Sequence, residues 1–137
     1  KKDAIEFYQS NPTSNLLAPK YWFSEGVCYT MLTSGKPSFR LLPPTGGFDM
    51  AGPCICGLGS SENWTLGFLN CSIAADVLSM LNPTLNMQAR DIKALPMLIS
   101  AEYKPAINSL VDSNVSISKN DWDSFETSWD FKRNPLV

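Results

Sequence analysis

Between residues 64 and 81, apolar side chains fall at Leu66, Leu69, Ile73, Val77, Leu78 and Leu81. Spacings of three and four put them on one stripe of a helix. Ser61 or Asn63 precedes the stripe as a cap and Asn82-Pro83 closes it, so the pattern predicts a central packing helix over 64–81. Upstream the pattern is that of strands. Residues 21–32 are aromatic and β-branched around Gly26, 38–42 form a second short run, and 48–57 form a third, interrupted by Gly52-Pro53 as an edge or bulge would be. Turn clusters at 33–37 and 43–47 separate them. Residues 4–9 predict a short helix stopped by the turn cluster at 11–15. Residues 87–95 begin as a strand and turn helical at Arg90-Asp91-Ile92 until Pro96, and 105–111 predict another helix. The fold predicted is α+β: a small twisted antiparallel sheet packed against a central helix, with a helical C-terminal part.

The run over residues 117–131 has a different character, with Trp122, Phe125, Trp129 and Phe131 set among Asp121, Asp123, Glu126 and Asp130. Ser118 predicts the cap of a further short helix. Asp121 and Asp123 would then sit in its first turns, where the macrodipole favours negative charge. One face would be aromatic and the other acidic, making a short amphipathic anchor. Its ordinary role is packing on a core; its sharper role is docking a partner.

Composition narrows the function classes. A chain of 137 residues with 44% hydrophobic and 18% charged side chains fits one globular unit. It starts without methionine and shows no secretory h-region, so it reads as a piece excised from a longer cytoplasmic protein. No apolar run approaches the roughly 18 residues of a membrane span. A formal charge of -2 argues against a free-standing nonspecific nucleic-acid binder, which draws affinity from many cations. Residues 1–104 hold eight basic and eight acidic side chains, whereas 105–137 hold three basic and five acidic, so any DNA face belongs in the first part. The absence of histidine removes the usual general base and the commonest metal ligand. Cysteines at 28, 54, 56 and 71 miss the paired spacing of structural zinc sites, and no metal is expected. In a strand, Cys54 and Cys56 would share a face; buried free thiols are the expectation.

Three blocks carry a resemblance. ISKNDWDSFETSWDFKRNPL at 117–136 is similar to the segment following the target-recognition region of the adenine-specific DNA methyltransferases of BREX phage-defence systems, the PglX family. LNPTLNMQARDIKALP at 81–96 resembles the same family's segment after a recognition-domain helix, and more loosely a motif of restriction–modification specificity subunits. A weaker match covers Glu25-Gly26, Thr33-Ser34-Gly35-Lys36 with Ser38-Phe39-Arg40, and 48–52, departing at Val27-Cys28-Tyr29-Thr30. The blocks occur in the family's order over about residues 22–136. The resemblance implies a target-recognition part over 1–104 and a docking segment over 105–137. It also implies a parent enzyme that methylates adenine N6 in double-stranded DNA with S-adenosylmethionine.

No catalytic or cofactor site is expected in the chain itself. An adenine amino-methyltransferase needs an Asn/Asp-Pro-Pro-aromatic loop against the flipped base. Asn11-Pro12-Thr13, Asn82-Pro83-Thr84 and Asn134-Pro135-Leu136 all lack its second proline and its aromatic ring. Gly57-Leu58-Gly59 is a fragment of a dinucleotide fingerprint and reads as a turn before a helix. Without histidine or a G-x-S-x-G motif a serine hydrolase has no support.

Candidate DNA contacts fall in two groups. Thr33, Ser34, Lys36, Ser38 and Arg40 form a hydroxyl-rich, basic projection suited to phosphates or a guanine edge. Asn86, Gln88, Arg90 and Lys93 offer amides for adenine and cations for phosphate, although Leu85, Met87, Ile92 and Leu95 around them favour a packing role. For docking, Trp122, Phe125, Trp129 and Phe131 face the parent's methyltransferase domain or another defence-system subunit.

Overall fold

A computed structural model describes residues 2–14 and 17–136. Asn15, the last residue of the first turn cluster, lies outside them. The elements in order are α1 (Lys2–Ser10), β1 (Gly26–Tyr29), β2 (Phe39–Leu42), β3 (Cys54–Cys56), α2 (Glu62–Leu69), α3 (Ser72–Leu81), α4 (Ala89–Lys93) and α5 (Lys104–Trp122). The α+β expectation holds. The strands form one antiparallel sheet in the order β2-β1-β3, with Val27 opposite Leu41 on one side and Ile55 on the other.

Alternation along β1 decides which face is covered. Val27 and Tyr29 point into a core shared with Phe39, Leu66, Leu69, Leu78, Met87, Leu95 and Val111. The rings of Tyr29 and Phe39 lie 5.7 Å apart. Beneath them α2 runs against both strands and against α5. Gly67 permits that close approach, because a Cβ there would stand 2.8 Å from Val111 Cγ2. Asn63 Nδ2 donates to Asp112 Oδ1 at 2.7 Å and adds a polar tie between the two helices.

The single helix expected over 64–81 is two helices bent by 76°. Asn70 breaks it. Its side-chain oxygen accepts from Phe39 N at 3.1 Å, and its amide nitrogen donates to Phe39 O at 3.0 Å, mimicking a strand partner on the outer edge of β2. Cys71 then becomes extended, and its sulfur accepts from Ala74 N at 3.4 Å to start α3. The bend turns Ile73 and Leu81 to solvent, and Ala74 and Leu78 take the buried positions. Ser61 holds the position before α2 without a side-chain cap, whereas Asn82 ends α3 as expected. Gly57 and Gly59 have φ of 77° and 50°, so the glycines serve the turn into α2.

A second correction concerns the C-terminal part. The helix expected over 105–111 continues to Trp122, because Ile107, Val111 and Val115 keep one face against the core. Ser118 is therefore inside a helix and caps nothing. Asp121 and Asp123 come at a helix C-terminus, where the macrodipole disfavours them. Lys119 compensates, reaching Asp123 Oδ2 at 3.0 Å and Asp130 Oδ2 at 2.6 Å. Beyond Trp122 the chain makes turns.

Candidate nucleic-acid interface

Thr33 and Ser34 of the first group of candidate reading residues lie beside the segment of the second group around Asn86, about fifty positions away in sequence. The chain leaving β1 pairs with the chain entering α4: Met87 N donates to Met31 O at 2.8 Å and Thr33 N to Leu85 O at 3.0 Å, with a bridge between Leu32 and Asn86. Thr33, Ser34, Gly35 and Pro37 thereby form one wall of a cleft of about 150 Å³ whose other wall is the Asn82–Met87 turn.

That turn is built around Asn82. Its Oδ1 accepts from Thr84 N at 3.0 Å and Thr84 Oγ1 at 2.6 Å, while its Nδ2 donates to Asn86 O at 2.9 Å and Asp91 Oδ2 at 2.7 Å. Asp91 also accepts from Gln88 N at 2.8 Å, reaching back from the first turn of α4. The Asn82 amide, then the Gln88 N–H and more weakly Arg90 hold the Asp91 carboxyl below the usual carboxylate range. At 7% exposure Asp91 is structural. The sequence marks Asn82 as a helix stop and Asp91 as part of a helical turn but does not pair them; the Asn82-Pro83-Thr84 turn signal and the acid three residues after Gln88 were the available clues.

Ser34, Lys36, Gln88, Arg90 and Lys93 are exposed, Thr33 and Asn86 are half-buried, and Ser38, also exposed, lines a different groove, the one that Trp122 shares with β2 and α2. Thr33 Oγ1 accepts from Gly35 N at 3.2 Å and shapes the loop. The Asn86 side-chain oxygen is buried and accepts no hydrogen bond among the described residues. Arg90 Nε lies 3.6 Å from Asp91 Oδ1, whereas Lys36 and Lys93 join no ion pair among the described residues. Arg40 belongs to β2, opposite Cys28, and its guanidinium donates to Thr30 Oγ1 at 3.2 Å on the outer sheet face.

The aromatic residues of the C-terminal segment are not packed on the core as their ordinary reading expects. Trp122 and Phe125 are exposed, Trp129 is fully so, and Phe131 is half-buried. Their backbone is fastened instead by polar contacts, because Ser128 Oγ donates to Asp123 Oδ1 at 2.6 Å and Lys119 ties Asp130 back to α5. Trp122 ends one wall of an open groove whose other walls are β2 and α2. Among the described residues no single helix is long and apolar enough to cross a membrane.

No protein-family model matches the chain. Two curated proteins do. The adenine-specific methyltransferase PglX of Lacticaseibacillus casei (strain Zhang) is 30% identical over 121 residues, which is 86% of this chain and 10% of that protein. The adenine-specific methyltransferase BrxX of Escherichia coli O9:H4 (strain HS) is 28% identical over 140 aligned positions, the whole of this chain and 11% of that protein. The chain spans about a tenth of the length of these relatives. Along most of its length it is thus similar to one segment of the PglX and BrxX adenine-specific methyltransferases, the kinship its motifs indicated.

Proposed function

We propose that this chain is the DNA target-recognition part of an adenine-N6 DNA methyltransferase of a phage-defence system. It supplies sequence choice while another part of the parent, using S-adenosylmethionine, performs methyl transfer. The observation that carries this reading is the hydrogen-bonded union of residues 31–33 with 85–87, which brings the Thr33–Ser34 loop alongside the Asn82–Met87 turn. Phosphate contacts from Lys36 and Lys93 would set register, and the loop hydroxyls and Gln88 would reach base edges. The fold class and the methyltransferase relatives agree with this role, and such a protein works in the cytoplasm on host DNA. Lys36→Ala with Lys93→Ala in the intact parent is expected to weaken DNA binding uniformly across sequences, to lower its salt slope by about two, and so to reduce adenine methylation. Long-read methylation profiling checks it; an unchanged profile removes these residues as readers.

A second reading concerns docking, and the exposure of Trp122, Phe125 and Trp129 favours it. Apolar rings held outward by polar ties suit contact with the parent's catalytic part or another subunit. Trp122→Ala with Trp129→Ala should weaken assembly in sedimentation while preserving which motif is methylated. Unaltered assembly rejects the docking role.

A further inference from the structure

The outer face of the sheet carries three thiols. Since Val27 and Tyr29 point into the core, Cys28 between them faces outward. Tyr29 N donates to Pro53 O at 3.1 Å and Met31 N to Ala51 O at 3.0 Å, continuing the register that sets Val27 opposite Ile55. Those odd-numbered positions of β1 are hydrogen-bonded pairs. Cys28–Cys54 and Gly26–Cys56 are therefore the intervening non-hydrogen-bonded pairs, whose Cα atoms approach to ~4.5 Å in an antiparallel ladder. That falls inside the ~4.4–6.8 Å a disulfide spans. Along one strand, Cys54 and Cys56 would stand ~6.8 Å apart, at the outer limit. Gly26 makes room, because a Cβ there would lie 2.8 Å from Cys54 Sγ. Cys71 is occupied at the start of α3. Among the described residues no three His, Cys, Asp or Glu side chains are placed to hold a metal ion.

We infer that Cys28 and Cys54 are a disulfide-forming pair, a modification site that reacts with a low-molecular-weight disulfide of the glutathione class. The Cys28 thiolate attacks one sulfur of that disulfide, forming a mixed disulfide and releasing one small thiolate. Cys54 then loses its proton to solvent and attacks Cys28 Sγ, releasing the second. Two protein thiols are oxidised and one small disulfide is reduced to two thiols. Burial, then hydrogen bonding with Cys56, pushes the Cys54 thiol up to about 12, so the closing attack by Cys54 is expected to be the slower step at neutral pH. The bond would enclose residues 29–53, the stretch that includes β2 and the Thr33–Arg40 projection.

The inference rests on strand register and not on the DNA reading, so either can fail alone. The test equilibrates the protein in glutathione/glutathione-disulfide buffers without oxygen, traps free thiols with iodoacetamide and maps peptides by mass spectrometry. The expected result is one intramolecular bond between the Cys28 and Cys54 peptides, lost in Cys28→Ser and in Cys54→Ser and retained in Cys56→Ser and Cys71→Ser. Circular dichroism confirms that the variants are folded. Four alkylated cysteines at the most oxidising ratio, a persistent glutathione adduct, or a Cys54–Cys56 bond would each overturn the proposal.

Discussion

Phe39→Ala is expected to destabilise the protein by about 3–5 kcal/mol, the usual cost of emptying a buried aromatic site. Phe39 is 4% exposed, touches Tyr29 across the β1–β2 pair, and offers its backbone edge to Asn70. Losing the ring opens a void under the sheet and loosens the strand whose edge breaks the helix at Asn70. Domains of this size are held by roughly 5–15 kcal/mol in total, so the variant should lose much of its margin. Urea denaturation followed by tryptophan fluorescence measures the loss. A midpoint equal to that of the unsubstituted chain would mean that the core is not centred on this sheet face.

Asp91→Ala has the second largest expected effect, about 2–4 kcal/mol, because it leaves the Asn82 amide and the Gln88 N–H without their acceptor in a buried turn. The effect depends on pH with a definite sign. The folded-state pKa of Asp91 lies below its unfolded value, so the carboxylate's contribution is complete above pH ~4 and disappears as acidification passes down through the folded value. Melting curves for the chain and for Asp91→Asn between pH 3 and 7 should therefore draw together towards the acid end. A constant difference across that range would mean that Asp91 is not the ionised acceptor of the turn. The substitution also separates two causes of lost recognition, since it loosens the frame without removing Lys36 or Lys93.

Much of the candidate interface was legible as pieces and illegible as an arrangement. Thr33, Ser34 and Lys36 announce a polar loop by type, and Asn82-Pro83-Thr84 announces a turn. That the loop lies along that turn depends on the Thr33–Leu85 and Met31–Met87 hydrogen bonds, which use backbone atoms and leave no mark on side-chain pattern. Arg40 illustrates the converse. Grouped by sequence with the loop, it sits in β2 on the outer sheet face and is engaged by Thr30. The C-terminal helix ran past its expected end for a related reason. Ser118 followed by Asp121 has the local form of a cap, but burial of Val111 and partial burial of Val115 keep the helix going through it.

The sequence by itself determined the strand segments, the turn at Gly57 and Gly59, the helix stop at Asn82 and the apolar content of the central stretch. Backbone chirality, chain stiffness and side-chain period act within a few residues and are written locally. Only the tertiary structure decided where the stripe over 64–81 breaks, which polar segments share a surface, and that Cys28 stands across from Cys54. The physical reason is the same in each case. Asn70 breaks the helix because Phe39 supplies backbone partners from a distant strand, and neither residue carries a local signal that the other will be there.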